Sequence, residues 1–185
     1  MSDKLADVPV LHTERLHLRP VLRDDLDAVY ALHAQPSAMR YWSFPAWTVR
    51  EQAQAWFAER QASGRTREHH PWGVERRDTD GLIGLVTLFA MDRVQRRCEI
   101  GYLLHPEHWG RGYAAEAVRA ALAHAFDVFE LARIEADVDP RNEASCRLVE
   151  RVGFRREGLL RERWRVNGEV CDSALYGLLR REFAG

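Results

Sequence analysis

The 185-residue sequence predicts a single mixed α/β domain. Segments with the alternation or the short apolar runs of strands alternate along the chain with segments of helical periodicity. No repeat, low-complexity tract or linker-like stretch divides the sequence, and its length suits one hydrophobic core. We therefore expect one domain over residues 1–185, with its core at about residues 13–180.

The first half of the chain is expected to form three strands and two helices. Alternating polarity predicts the strands, and an acidic or hydroxyl residue ahead of a periodic apolar run predicts the start of a helix. Ser63-Gly64 is expected to end the second helix. In order, the elements are a strand at Arg15–Arg19, a helix from Asp24 or Asp25 to about His33, a helix from the capping-box pattern Thr48-Val-Arg-Glu51 to about Ala62, and strands at Trp72–Arg76 and Leu82–Phe89.

The second half is expected to contain two further helices among four strands. Asn142 suits the N-cap of a helix, and Gly153 suits the left-handed residue that ends one. Asn167-Gly168 is typical of a two-residue hairpin turn. The expected elements are a strand at Cys98–Leu104, a helix of about Tyr113–Phe126, a strand at Arg133–Val138, a helix from Asn142 to about Val152, and two final strands joined by the hairpin turn.

Composition and charge narrow the expected partners and location. With 46% hydrophobic residues and a formal net charge of -1, the chain lacks the basic excess typical of nucleic-acid binding. Its longest apolar run, Gly81–Met91, is too short for a membrane-spanning helix, and its first residues lack the apolar core of a secretion signal. Cys98, Cys146 and Cys171 have no CxxC or disulfide-framework spacing. We expect a cytoplasmic monomer or homodimer without a nucleic-acid or membrane partner.

Residues 109–114, Trp-Gly-Arg-Gly-Tyr-Ala, form a segment that we call the glycine turn. It joins an apolar strand to an alanine-rich helix, so it directs free backbone N–H groups and the positive end of a helix dipole at one point. A diphosphate fits such a place. The pattern is neither a Walker loop nor a dinucleotide-binding GxGxxG. Taken alone, it also suits an ordinary connection between a strand and a helix.

Several segments together resemble the GNAT family of N-acetyltransferases, and more narrowly its branch of ribosomal-protein N-terminal (alanine/serine) acetyltransferases. The likeness covers nearly the whole chain. The segments are the glycine turn, Asn142-x-x-Ser145, Gly153-Phe154, Thr13-Glu-Arg-Leu-His-Leu-Arg19, Asn167-Gly-x-x-x-Asp172 and Tyr176.

The resemblance implies a GNAT-like fold with a central, mostly antiparallel sheet that is flanked by helices and splayed between its fourth and fifth strands. Acetyl-CoA would be the co-substrate, with its pantetheine arm in the splay and its pyrophosphate on the glycine turn; no metal is expected. The implied coenzyme contacts are Leu103, Leu104, Trp109, Gly110, Arg111, Gly112, Tyr113, Ala114, Asn142 and Ser145. Two residues depart from the pattern. Trp109 stands where the broad family has Gln or Arg, and Val149 stands where the wider family often has a tyrosine acid.

Ser145 and Glu99 are the predicted catalytic residues. The resemblance places Ser145 beside the coenzyme sulfur, where its hydroxyl could donate to the leaving thiolate; an ordinary polar residue in a first helical turn is the alternative. Glu99, in the strand that leads to the glycine turn, is the candidate base. A salt bridge to Arg96 or Arg97 is its structural alternative, and Glu135 is a weaker rival.

The acceptor site is expected near the aromatic loop, which we define as residues 41–47, Tyr-Trp-Ser-Phe-Pro-Ala-Trp. Exposed aromatic side chains on a loop suit a peptide or an apolar ligand. The predicted acceptor contacts are Tyr41 and Trp42 of this loop, together with Tyr102 of the strand at Cys98–Leu104. Anchoring in the core is the alternative for Trp42 and Trp47. We expect His69-His70 in a surface turn, and zinc binding at His105-Pro-Glu-His108 is disfavoured for want of a third ligand.

The sequence therefore predicts an N-acetyltransferase that moves an acetyl group to a primary amine by direct attack in a ternary complex. The amine could be the N-terminus of a protein such as a ribosomal protein, which the subfamily likeness favours. A polyamine, an amino acid or an aminoglycoside is the alternative acceptor. A non-catalytic acyl-CoA-sensing module is a second hypothesis, because Val149 cannot donate a proton. A nucleotide-binding regulator is a third, although the chain lacks a Walker lysine.

Overall fold

A computed structural model of the chain describes residue 5 and residues 8–63 and 69–185. Its centre is an eight-stranded sheet in the order β1-β2-β3-β4-β5-β6-β8-β7. The strands are β1 (Leu11–His12), β2 (Leu16–Pro20), β3 (His70–Arg76), β4 (Leu82–Asp92), β5 (Arg97–Leu104), β6 (Arg133–Val138), β7 (Arg155–Val166) and β8 (Glu169–Leu179). The helices are α1 (Leu26–His33), α2 (Pro36–Met39), α3 (Glu51–Ser63), α4 (Tyr113–Asp127) and α5 (Glu143–Val152).

The order and type of the predicted elements agree with the structure, with local differences. β1 and α2 were not predicted, because two strand residues and a single helical turn are too short to show a period. β3 begins at His70, which is only 8% exposed, so the expectation of a surface turn there was wrong. The predicted stop residue Gly64 lies outside the described residues. No helix within the described ranges is long and apolar enough to cross a membrane.

The start of α3 uses a different residue from the one that the capping-box pattern indicated. The side chain of Gln52, rather than Glu51, accepts hydrogen bonds from the backbone N–H groups of Thr48 and Val49, at 2.8 and 3.1 Å. An amide oxygen one residue further along the chain thus satisfies N–H groups that the helix leaves unpaired.

The sheet opens between β5 and β6, its only parallel neighbours among the described strands. The two strands pair over three positions, of which Glu99 opposite Glu135 is the last. Beyond this pair β5 continues to Leu104 beside β4 alone, and β6 continues to Val138 beside β8 alone. The splay predicted between the fourth and fifth strands is therefore this gap; the short β1 shifts the count by one.

Two apolar clusters lie on opposite faces of the sheet. One includes buried residues of α4 and α5, and the other includes buried residues of α1 and α3. Successive side chains of a strand point to opposite faces, and β5 follows this rule. Ile100 and Leu104 belong to the α4–α5 cluster, whereas Leu103 belongs to the α1–α3 cluster. The side chains of β5 beside the gap therefore point alternately into the α4–α5 cluster and towards the α1–α3 cluster.

Candidate active site

The glycine turn and the first turn of α4 form one potential anion site. Gly110 and Gly112 have φ values of 73° and 82°, a left-handed conformation that glycine adopts without steric cost. The first hydrogen bond of α4 runs from the Glu116 N–H to the Gly112 carbonyl at 3.1 Å, so the amides from Gly112 to Ala115 have no carbonyl one turn earlier in the helix. A Cβ atom built on Gly110 would meet nothing within 4 Å. The turn therefore presents backbone N–H groups beside open space.

Trp109 fixes the glycine turn to the end of β5. Its indole N–H donates to the Leu104 carbonyl at 2.8 Å, while 48% of the residue remains exposed. Leu103 and Leu104 themselves are buried, so only their backbone groups are available to a ligand in the gap. Trp109 thus has a structural role at a position where the broad family pattern has Gln or Arg.

Ser145 lies at the start of α5, held by the helix cap. The Asn142 side chain accepts a hydrogen bond from the Ser145 N–H at 3.1 Å, and Gly153, with φ of 115°, ends the helix. Both capping roles were predicted. The Ser145 hydroxyl lies 2.5 Å from the phenolic oxygen of Tyr102, which the sequence did not indicate. Val149, one turn further along α5, is fully buried in the α4–α5 cluster.

Tyr102 and Glu99 lie on opposite faces of β5. Tyr102 packs against the α4–α5 cluster, on the face of Ile100 and Leu104. Glu99 is three residues earlier, so it shares the face of Leu103 in the α1–α3 cluster. The structure therefore brings Tyr102 together with Ser145, and does not bring it together with Trp42 of the aromatic loop, which packs against the α1–α3 cluster.

Glu99 is a half-buried carboxylate at the point where the gap begins. Burial, followed by the nearby charges of Asp137 and Glu135, raises its pKa above the ordinary value of 4.5. Within the described ranges its carboxylate makes no hydrogen bond or ion pair. Arg96 instead donates to the Glu130 carbonyl, and Arg97 pairs with Glu135. The structural alternative for Glu99, a salt bridge to either arginine, is therefore not observed.

The other carboxylates on this face are paired with arginines. Glu135 lies 3.1 Å from the Arg97 guanidinium and 2.7 Å from the Arg133 guanidinium. Asp137 lies 3.5 Å from Arg163 and accepts a short hydrogen bond from the Ser173 hydroxyl. Both arginines therefore occupy the Glu135 carboxylate with ion pairs, which leaves Glu99, among the described residues, as the unpaired carboxylate at the gap.

The aromatic loop is anchored by His33 of α1. The His33 ring stacks on Trp47 with centroids 4.0 Å apart, and its Nδ1–H donates to the Val29 carbonyl at 2.8 Å. Trp47 is buried, so it anchors the loop in the core, whereas Trp42 and Phe44 are half-buried beside it. The structural alternative was thus correct for Trp47.

Tyr41 lies at the other end of the aromatic loop and reaches towards α5. The guanidinium groups of Arg40 and Arg141 lie 5.2 and 5.8 Å from the centre of its ring. Arg141 immediately precedes Asn142, the N-cap of α5. The Tyr41 ring is therefore close to two cationic side chains.

In His105-Pro-Glu-His108, His105 immediately precedes a single 3₁₀ turn and His108 is its last residue, and the two ring centroids are 6.3 Å apart. Across the described part of the chain, no group of three or more His, Cys, Asp or Glu side chains is arranged to hold a metal ion.

Comparison with known protein families identifies the family of this chain. Residues 15–155 match the family described as Acetyltransferase (GNAT) domain. This chain belongs to the GNAT family.

GNAT relatives match over most of the chain. The N-acetyltransferase YoaA of Bacillus subtilis is 36% identical over 172 residues, covering 93% of this chain and 97% of YoaA. A candidate ribosomal N-acetyltransferase of the same organism, YdaF, is 38% identical over 104 residues, covering 56% of this chain and 57% of YdaF. A spermidine N-acetyltransferase of Vibrio cholerae, solved with CoA and spermine, superimposes with a TM-score of 0.83 at 26% identity, covering 94% of this chain and all of that one.

The chain is thus an N-acetyltransferase that uses acetyl-CoA and an amine. Its GNAT site fits the coenzyme on two structural grounds: open space faces the amides of the glycine turn, and no described strand fills the gap beside the far half of β5. The sequence reasoning missed the contact of Tyr102 with Ser145. The alternation of side chains along β5 indicates that Tyr102 and Glu99 point to opposite faces, and this was the available sign that Tyr102 does not share the face of Glu99.

Proposed function

We propose that this GNAT enzyme acetylates the N-terminal amine of a protein or peptide, such as a ribosomal protein, by direct attack in a ternary complex. One observation carries the proposal. Glu99 is the carboxylate at the opening of the gap that has no arginine partner, whereas its neighbours Glu135 and Asp137 are both paired. The site therefore offers Glu99 as one unpaired proton acceptor, and the charges of the two carboxylates beside it are compensated.

The coenzyme end of the site would consist of backbone and small side chains. Bound acetyl-CoA supplies the acetyl group as a thioester. The N–H groups of residues 110–114 would hold its pyrophosphate, and the backbone of Leu103 and Leu104 would face its pantetheine arm. Asn142 orients the first turn of α5, from which the Ser145 hydroxyl would donate a hydrogen bond to the sulfur.

The acceptor end would lie on the other face of the sheet, with Glu99 as the base. A chain-terminal amine has a pKa of about 8, whereas a lysine amine has a pKa of about 10.4. A carboxylate that acts directly or through one water is sufficient to take the proton from the first, and it is poorly matched to the second. A half-buried carboxylate with a raised pKa, such as Glu99, suits this weaker demand.

A polyamine fits the same face less well. Its second and third ammonium groups would need carboxylates of their own, and Arg97, Arg133 and Arg163 already compensate the carboxylates beside Glu99. The arginines themselves would repel a polycation. The aromatic loop, with half-buried Trp42 and Phe44, provides apolar surface for the first side chains of a peptide instead.

A covalent cysteine intermediate finds no support in the thiols. Cys98 is buried, and burial raises its pKa to about 12. Cys171 is buried and faces the Arg141 guanidinium, and the Cys146 thiol is directed at the Asp139 carbonyl. Three unpaired thiols suit the reducing cytoplasm, where we place the enzyme.

The decisive experiment measures thiol release from acetyl-CoA by the purified protein. The acceptors are peptides with a free N-terminal alanine or serine, the same peptides already acetylated at the N-terminus, spermidine, free amino acids and an aminoglycoside. Release with the free peptides and none with the blocked ones supports the proposal. Release with spermidine alone overturns it in favour of a small-amine acetyltransferase, and Glu99→Gln shows whether the observed activity depends on this site.

A further inference from the structure

Tyr102 and Ser145 join two walls of the gap by one hydrogen bond. Tyr102 belongs to β5, which borders the gap on one side. Ser145 belongs to the first turn of α5, which packs against β6 and β7 on the other side. Their hydroxyl oxygens are 2.5 Å apart. Since β5 and β6 no longer pair at this level, this contact links the two halves of the sheet where they separate.

The chemistry of the two hydroxyls indicates which one donates. A phenol is a better hydrogen-bond donor than an aliphatic hydroxyl, and a serine oxygen has two lone pairs to accept with. Burial raises the pKa of Tyr102 to about 12, so the phenol stays protonated at neutral pH. Cys146 is the other titratable side chain that acts on this phenol, and its effect is in the same direction. The geometry allows either oxygen to donate, and the greater acidity of the phenol favours Tyr102 as the donor and Ser145 as the acceptor.

A donating phenol leaves the Ser145 proton available. One lone pair of the Ser145 oxygen is occupied by Tyr102, and the backbone N–H of Ser145 is already committed to Asn142. The remaining hydroxyl hydrogen can then be directed at a third atom. The wider family often has a tyrosine at the position of Val149, but Val149 is apolar and fully buried. The phenol at this site comes from the opposite wall instead.

We propose that Tyr102 is a positioning residue for Ser145: its phenol orients and polarises the serine hydroxyl so that the hydroxyl donates its hydrogen bond to the coenzyme sulfur. The inference rests on the role proposed above for Ser145. Tyr102 keeps its proton throughout. A hydroxyl that accepts a hydrogen bond becomes a stronger donor, so the bond from Ser145 to the charged sulfur is strengthened by the bond that Ser145 accepts from Tyr102. The alternative is that the contact only holds α5 against β5, as a structural contact without effect on the coenzyme sulfur.

A direct test measures the pKa of the thiol of bound CoA, a quantity that does not depend on the acceptor. The probe is CoA itself, titrated with pH while the ultraviolet absorbance of its thiolate is followed at saturating protein. The variants are Ser145→Ala, Tyr102→Phe and the double variant, each with its melting temperature and CoA affinity measured. Tyr176→Phe is the matched control, because this buried tyrosine also donates to α5, at Glu150 over 3.2 Å, but not to Ser145.

The expected result is a rise in the bound thiol pKa when either member of the pair is removed. Loss of a hydrogen bond to a charged group should raise it by about one unit in Ser145→Ala, and loss of the orienting phenol by about half a unit in Tyr102→Phe. The double variant should match Ser145→Ala, because Tyr102 acts through Ser145. Tyr176→Phe should leave the thiol pKa unchanged. Replacing Tyr102 with 3-fluorotyrosine, a more acidic phenol of nearly the same shape, should lower it.

Two outcomes would overturn the inference, and they differ from a failure of the proposed function. If CoA binds normally and the thiol pKa is unchanged in Tyr102→Phe or in the fluorotyrosine variant, the contact is only structural. If Tyr176→Phe raises the pKa equally, the effect comes from general loosening of α5. Failure of the unmodified protein to bind CoA would instead refute the proposed function, and the role of Tyr102 with it.

Discussion

The Arg15 guanidinium holds the Glu116 carboxylate, which places the start of β2 against the first turn of α4. The Arg15 Nε–H donates to one oxygen of Glu116 at 2.7 Å, while the Arg15 backbone N–H and the Thr13 hydroxyl donate to the other, at 2.9 and 2.6 Å. The same guanidinium donates to the Arg111 carbonyl in the glycine turn at 2.9 Å. Arg15 thereby compensates the negative charge of Glu116 near the anion site, and its hydrogen bond to the Arg111 carbonyl stabilises the glycine turn.

The first prediction concerns this support. Arg15→Ala should weaken CoA binding about fivefold to tenfold, because the glycine turn loses a hydrogen bond and the Glu116 charge then opposes the coenzyme phosphates. Titration calorimetry with CoA measures it. Arg50→Ala removes another exposed ion pair, to Asp27, remote from the turn, and should bind CoA normally. Equal affinities for the two variants would show that Arg15 does not support the site.

The second prediction separates backbone strain from ligand contact at Gly110. Gly110→Ala and Gly168→Ala place a methyl group at positions with φ of 73° and 82°, and in neither case does the new Cβ meet an atom within 4 Å. Both should therefore lose a similar free energy of unfolding, about 1–2 kcal/mol. Only Gly110→Ala should also lose CoA affinity, because its methyl occupies the space above the anion site. Equal CoA affinities in the two variants, measured by calorimetry, would place the pyrophosphate elsewhere.

Local chemistry explains why so many elements were predictable. Asn142, Gly153 and the Asn167-Gly168 turn act through their own backbone and the few residues beside them, so their roles could be inferred from the sequence. The position of the splay could not be derived in this way and came from the resemblance. Strand pairing depends on contacts between residues distant in sequence, which no local pattern encodes.

The sequence analysis did not separate the side chains of β5 by the face of the sheet to which they point. Glu99 and Tyr102 are an odd number of residues apart in one strand, so they must point to opposite faces, and both were nevertheless expected on the acceptor side. The contacts of Thr13 and Arg15 with Glu116 span about a hundred residues and were not predictable. The motif that contains Thr13 and Arg15 supported the family resemblance, but only the structure gives it a physical role.

The third prediction concerns the pH dependence of catalysis. The base must be unprotonated, and burial, with the charges of Asp137 and Glu135, raises the pKa of Glu99 above 4.5. The turnover number should therefore fall as the pH decreases through that raised value. Glu99→Gln should lower the turnover number roughly 100-fold and remove this acid limb, with little change in CoA affinity. Steady-state rates between pH 5 and 8 measure it, once an acceptor is known.

Glu135→Gln is the control for this assignment. It removes a neighbouring negative charge and releases Arg97 and Arg133, and both effects should lower the pKa of Glu99. The acid limb should consequently move to lower pH while the maximal rate is largely kept. An acid limb that persists in Glu99→Gln would mean that another group is the base.

The fourth prediction concerns stability in acid and the anchor of the aromatic loop. Burial lowers the pKa of His33 to about 4, against about 6.5 in an unfolded chain. Between these values the unfolded chain binds more protons than the folded one, so the free energy of unfolding should fall as the pH decreases. The slope from His33 should reach about 1.4 kcal/mol per pH unit, and above pH 6.5 its contribution should be constant. The buried His124, whose pKa burial also lowers, should add a slope of the same sign.

Urea unfolding at pH 7, 6 and 5 measures this dependence. His33→Phe keeps a flat ring against Trp47 but cannot be protonated, so it should remove its share of the slope while the part due to other groups remains. A wild-type slope in His33→Phe would mean that His33 is not kept neutral in the fold. Because the ring of His33 holds Trp47, its protonation should release the aromatic loop first. The Trp47 amide is bonded to the His33 carbonyl at 3.0 Å. Its protection factor against hydrogen exchange, corrected for the intrinsic rate at each pH, should fall below pH 6 before those of the sheet amides do.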